Sequence, residues 1–293
     1  MSTQNFINNY DKYQYDSFIF GNSYSVFYEI KEWTKYINSK KCYHFDALSE
    51  SIYGVMKKIE YLNKKKVKIK NALIITDAGS LSVVSNDTRF LYKKHPALSD
   101  ENYFSFHAEF LKAFLTPEFL RAYLSLLFFK SINPDMNKDQ FLFDYRPWNY
   151  DSVSNELSLK IYETMIAKNK NDYYKTYINM FPRRDMTVQQ ESPGIIKKDQ
   201  IKMLLFIKKV FDLNKTEYRI IISPEYCQIK FNTKDLQILY KIFSKKNVYD
   251  FSGINDFTND IYNYYEPIHY RPVVSRQILA KVYAKDCNYS VEK

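Results

Sequence analysis

SFIFGNSYS, residues 17–25, is a short apolar run stopped by Gly21-Asn22 and followed at once by helical periodicity. Residues 17–20 have the length and character of a buried strand, and Gly21-Asn22 has the chemistry of a turn. Residues 25–38, SVFYEIKEWTKYIN, then put Val26, Ile30, Trp33 and Tyr36 on one helical face. A second strand is predicted over 42–45, and residues 50–63 repeat the helical period through Ile52, Val55, Ile59 and Leu62. KNALIITD, residues 70–77, reads as a third strand ending at Asp77. Strands and helices alternating at this spacing predict βαβ units and a parallel sheet.

Working outward, the same alternation returns near the C-terminus. TEYRIIIS predicts a strand over 217–222, DLQILYKIFSKK a helix, NVYDFS a strand over 248–252 and VVSRQILAKVY a closing helix. Between the two halves the signal is helical, in FHAEFLKAFL, PEFLRAYLSLLFF, SNELSLKIYETMIA and KKDQIKMLLFIKKVFDL. The whole chain, 1–293, therefore reads as one α/β domain with a large helical insertion at about 86–210. Its five strands predict a mostly parallel sheet covered by helices on both faces, a three-layer α/β/α arrangement. Ligands of such sheets bind beyond the carboxyl ends of the strands.

Composition removes several functions. Five glycines are too few for a Gly-rich phosphate loop, and neither G-x-G-x-x-G nor G-x-x-x-x-G-K-[ST] occurs, so no nucleotide cofactor is expected. Cys42, Cys227 and Cys287 are an odd number at wide spacing, which makes neither a disulfide framework nor a zinc signature. The formal net charge of +10 favours anionic partners, but the lysines are scattered and no compact basic motif appears, which argues against nucleic acid. Asp46 and Asp77 stand at neighbouring strand ends, where capping and turn roles compete with metal binding; no metal site is expected. The first residues, MSTQNFINNYDKYQYD, lack the apolar core of a signal peptide.

Two strand ends carry reactive residues. Asn22-Ser23 follows the first strand directly, so Ser23 or Ser25 stands at a helix start, where it either caps the helix or is presented to a reacting group. Glu266 and His269, in NYYEPIHYRP, follow the last strand. A carboxylate beside an imidazole fixes its tautomer and stabilises the imidazolium form, as behind a general base. In a parallel sheet these distant stretches face one crevice.

FIFGNSYS resembles the first sequence block of the SGNH (GDSL-like) hydrolase superfamily, and YYEPIHYRPVVSRQIL resembles its last. VYDFSGINDFT is also similar to the approach to that last block. The likeness covers roughly 17–80 and 217–282 and is strongest with bacterial SGNH-like proteins that accompany membrane-bound O-acyltransferases. It implies a flavodoxin-like fold and ester chemistry without a cofactor. Ser23 would be the nucleophile, His269 the general base and acid, and Glu266 the orienting carboxylate. The Ser23 N–H would be the first oxyanion donor, with Ser49 and Asp77 at the positions of the second and third. Asn22 and Arg271 would meet substrate. The resemblance further implies an acylated glycan or other ester as substrate, a membrane-bound O-acyltransferase as possible partner, and an extracytoplasmic protein with an N-terminal anchor or signal outside these residues; the alternative is a cytoplasmic one.

The chain departs from the family pattern at three places. Glu266 replaces the usual Asp, Ser49 stands where the second block has Gly, and Asp77 where the third has Asn. An ionised Asp77 cannot donate a hydrogen bond to an oxyanion. Two readings therefore remain open: an SGNH-like serine esterase or O-acyltransferase, and a catalytically inactive SGNH-fold protein that binds glycan or a membrane acyltransferase. No residue distinguishes hydrolase from transferase.

Overall fold

In the computed structural model, residues 2–86, 93–130, 149–184 and 187–287 are described. The main sheet is built from β1 (Ser17–Gly21), β2 (Cys42–His44), β3 (Asn71–Thr76), β6 (Glu217–Ile222) and β7 (Val248–Asp250), in the order β2-β1-β3-β6-β7. All four pairings are parallel. Two further strands, β4 (Asn149–Asp151) and β5 (Glu156–Ser158), form a separate antiparallel hairpin. Counting the main strands alone, the order is 2-1-3-4-5, so the direction of winding reverses between β1 and β3.

Alternation of side chains explains the layers. Phe18 and Phe20 of β1, Ala72 and Ile74 of β3, and Ile220 and Ile222 of β6 face one core. Ile19, Leu73, Ile75 and Ile221, one residue out of step, face the other. Both faces are covered, as an all-parallel sheet requires. The first core is closed by Phe6 of the helix Ser2–Tyr13 and by the helices Ile52–Lys64, Lys198–Asn214 and Thr233–Phe243. The second is closed by the aromatic run Tyr24, Phe27, Tyr28 and Trp33 and by the helix Pro272–Cys287.

Three expectations change. Residues 25–38 do not form one helix: a 3-10 helix, Ser23–Phe27, is followed by a single α-helical turn, Ile30–Trp33. The helix Lys198–Asn214 is not part of the insertion, because Leu204, Ile207 and Phe211 cover the sheet as the crossover from β3 to β6. SNELSL, read as helical, supplies the β5 strand, and the helix begins at Lys160. The alternating N-E-L-S-L of this segment is the signal for the strand.

The β4–β5 hairpin is fastened to the edge of the sheet. The His44 N–H donates to the Ser154 carbonyl at 2.9 Å, and Asn155 Nδ2 donates to the His44 carbonyl at 2.7 Å. From the N-terminal helix, Asn5 and Asn9 each donate to the Ser152 carbonyl at 2.9 Å. Insertion helices Lys160–Lys168 and Lys170–Tyr177 then pack Tyr162, Ile166, Tyr173 and Tyr174 into the second core. The helices Tyr103–Phe114 and Pro117–Phe129 meet through Phe114 against Phe119 and Tyr123, and leave Phe104, Phe128 and Phe129 exposed.

Candidate active site

β1 ends at Gly21, whose φ is +148° and whose missing side chain leaves room for the Ile75 carbonyl of β3; a Cβ would overlap that oxygen. The chain can therefore turn sharply at the sheet's carboxyl edge, and Ser23 opens the 3-10 helix there. Asn22 caps this helix by accepting the Tyr24 N–H at 3.1 Å. Its amide also donates to Asp77 Oδ2.

The turn is braced from below by a second set of hydrogen-bonded residues. Ser25 Oγ lies 2.6 Å from the Asn22 carbonyl and 2.7 Å from Asp46 Oδ2. Asp46 in turn holds His44 Nδ1 at 2.8 Å, and His44 Nε2 faces the Tyr28 carbonyl at 3.1 Å. Both ring nitrogens of the buried His44 meet acceptors, the arrangement of an imidazolium. Burial alone would lower its pKa, but Asp46, together with Glu156 and the Tyr28 carbonyl, holds it above the ordinary value. Asn22, and neither Ser23 nor Ser25, caps the 3-10 helix; Ser25 ties the Asn22 carbonyl to Asp46, and Asp46 is a partner of His44.

The second half of the site comes from the loop after β7. Tyr264 and Tyr270 pair as an antiparallel bridge, and the Tyr265 N–H donates to the His269 carbonyl at 2.9 Å. This tight turn brings Glu266 and His269 side by side. Glu266 Oε1 takes His269 Nδ1, and Oε2 accepts the Ile268 N–H at 2.7 Å, so the extra methylene of Glu is accommodated by a two-point hold. His269 Nε2 lies 2.9 Å from Ser23 Oγ, across 246 residues of sequence. With Nδ1 protonated toward Glu266, Nε2 carries the lone pair that accepts the serine proton.

Insertion residues hold this loop from outside. Tyr174 Oη donates to the Tyr264 carbonyl at 2.8 Å and Tyr173 Oη to the Tyr265 carbonyl at 3.3 Å. Arg271, expected to meet substrate, is occupied otherwise. Its Nε and Nη2 each lie 2.8 Å from Glu163 and its Nη1 donates to the Tyr262 carbonyl, so it joins the loop to the helix Lys160–Lys168. Arg184 lies over the Tyr226 ring and donates to the Thr258 carbonyl at 2.7 Å.

Ser23 stands where two cavities meet. One, of about 410 Å³, is polar and includes Asn22, Ser49, Asp77, Glu225 and Lys94. The other, of about 290 Å³, includes Val26, Phe27, Leu48 and residues of the insertion, with Glu266 and His269 at its edge. Ser49 adopts φ +55°, the left-handed conformation that glycine takes most readily, so the position keeps a glycine-like backbone without the glycine. Asp77, in contrast, is not an oxyanion donor. Its Oδ1 caps the helix Ala78–Ser82 through the Ser80 N–H at 2.8 Å, and its Oδ2 accepts from Asn22. Three candidate donors therefore remain on this side: the N–H groups of Ser23 and Ser49 and the second amide proton of Asn22.

Glu225 was not among the expected residues. It follows β6, accepts the Tyr24 hydroxyl at 3.1 Å and lines the polar cavity. Burial, reinforced by the charge of Asp77, pushes its carboxyl up to about 7. Its place beyond a strand's carboxyl end is the signal that would have found it. Nearby, Glu50 is buried between Lys58 and Lys94, at 2.5 and 2.6 Å. Burial alone would raise its pKa, but the two ammonium groups hold it at about 2.

Among the described residues, no group of three or more His, Cys, Asp or Glu side chains could hold a metal ion, and no helix is long and apolar enough to cross a membrane. The chain matches no protein-family model and no curated protein.

Proposed function

We propose that this protein is an SGNH-like serine esterase or O-acyltransferase working through Ser23, His269 and Glu266. The observation that carries the reading is the continuous Glu266–His269–Ser23 chain of hydrogen bonds at the carboxyl edge of a parallel sheet. Ser23 Oγ attacks the acyl carbonyl carbon while its proton passes to His269 Nε2. The tetrahedral oxyanion faces the polar cavity and the N–H groups of Ser23 and Ser49. The bond to the alcohol oxygen then breaks, His269 returns its proton to that oxygen, and an acyl-Ser23 ester remains. Water or a sugar hydroxyl repeats the sequence in reverse and releases the acyl group.

The resemblance of FIFGNSYS and YYEPIHYRP to the superfamily's end blocks supports an acylated cell-surface glycan as substrate. By the same resemblance, the protein would act outside the cytoplasm beside a membrane-bound O-acyltransferase. The second reading, an inactive glycan-binding member, is favoured by one observation: Asp77 presents a carboxylate where a donor would serve.

Turnover of p-nitrophenyl esters tests the proposal. Ser23→Ala and His269→Ala should each lower kcat by about 10⁴-fold or more, and Glu266→Gln by about 10⁴-fold. Equal rates in wild type and Ser23→Ala would refute it.

A further inference from the structure

Besides the Ser23–His269–Glu266 triad, every residue lining the smaller cavity is aliphatic or aromatic. More than half of that wall is foreign to the α/β core. Leu157 and Leu159 come from the hairpin and its exit, and Tyr162, Tyr173 and Tyr177 from the two helices that follow. The hairpin is fixed to β2 and the N-terminal helix by the hydrogen bonds of Ser152, Ser154 and Asn155. The Tyr173 hydroxyl is engaged by the Tyr265 carbonyl. The wall is therefore anchored on three sides and presents carbon to the cavity.

We propose that this insertion-built cavity is the acyl pocket, and that it selects esters of medium-length apolar acyl groups over acetate, with the alcohol portion departing through the polar cavity. The inference rests on the esterase or acyltransferase reading above. In the acyl-enzyme the two sides of the carbonyl carbon must lie apart, and the two cavities adjoining Ser23 differ in chemistry. An acyl chain placed in the polar cavity would desolvate Asp77 and Glu225 and offer them no hydrogen bond. A polyhydroxylated alcohol placed in the apolar one would lose its water partners in the same way. At about 290 Å³ the apolar cavity has nearly twice the volume of a roughly 150 Å³ apolar cavity that holds benzene. An acyl chain of about six to eight carbons fits that space, whereas acetate leaves most of it unfilled. Each methylene buried there raises kcat/KM by roughly fourfold.

The test is a chain-length series on the full protein. Alkyl fluorophosphonates and p-nitrophenyl esters with two to about twelve acyl carbons are compared by adduct mass at Ser23 and by kcat/KM. The proposal expects an optimum near six to eight carbons, at least tenfold above acetyl in kcat/KM. It further expects Leu157→Trp, which fills the cavity, to lower the octanoyl-to-acetyl ratio at least tenfold, and Leu157→Ala to move the optimum to longer chains. Circular dichroism and thermal midpoints establish that both variants are folded. Labelling of Ser23 with a flat profile, or with acetyl preferred, would overturn the acyl pocket and leave the nucleophile standing. No modification of Ser23 by any member of the series would overturn the esterase reading and the pocket together.

Discussion

Glu225 is a carboxyl group whose ionisation the fold opposes. An unfolded glutamate titrates near 4.5, and in the folded protein burial, with the Asp77 charge, raises this one to about 7. Between those values the folded protein keeps a proton that the unfolded chain has released. The group is neutral to stability below about pH 4.5 and destabilises the fold increasingly as pH rises through about 7. Glu225→Gln keeps an acceptor for Tyr24 and removes the charge. Its unfolding free energy at about pH 8 should exceed that of wild type by up to ~3 kcal/mol. The gain should fade as pH approaches 4.5. Urea titrations at several pH values read this directly, and a pH-independent difference would contradict the assignment. At the same scale, the three residues that the structure joins by hydrogen bonds, Ser23, His269 and Glu266, were legible in sequence because they are reactive types placed after strands. Arg271 was misread because its partner, Glu163, lies in the insertion, more than a hundred residues away. Asp77 was legible as a non-donor from its chemistry and as a cap from its place after a strand, and it caps the helix Ala78–Ser82 through the Ser80 N–H.

Among the elements, β1 and its turn make the closest demand on sequence. Gly21 lies at φ +148° with the Ile75 carbonyl filling the place of a side chain. Gly21→Ala must both strain the backbone and push β3 aside, so it should cost about 2–4 kcal/mol in a denaturant titration and lower activity by displacing Ser23. A change below about 0.5 kcal/mol would mean that the turn can relax. β1, β3 and β6 were legible as apolar runs, whereas the three-residue β2 and β7, which contain His44 and Asp250, were legible from their place between helical segments. The break at residues 28–29 was not, because Val26, Ile30 and Trp33 keep helical spacing while the carboxylate of Glu156, from the hairpin, accepts the Ile30 N–H at 3.0 Å. The hairpin itself was hidden by its shortness, with three residues per strand. Local pattern cannot reveal a contact whose two sides are far apart in sequence.

For the whole molecule, the doubly wound sheet supplies the crevice and the insertion converts it into a site with two unlike sides. The core alone would bring Ser23 to the sheet edge. The insertion's Tyr173, Tyr174 and Glu163 secure the loop that carries His269, and its Leu157 and Leu159 close the apolar cavity. Fold class was readable from the alternation of periods, since that is a property of each segment. The insertion's role was not, because it arises from where its residues land on the core. The proposed function requires Ser23 to be an activated nucleophile. The most direct measurement is intact-mass and peptide-mapping analysis after incubation with a fluorophosphonate. One adduct is expected, on the peptide containing Ser23, absent in Ser23→Ala and formed about 10³-fold or more slowly in His269→Ala. A folded wild-type protein that remains unmodified, or is modified on another residue, would contradict it.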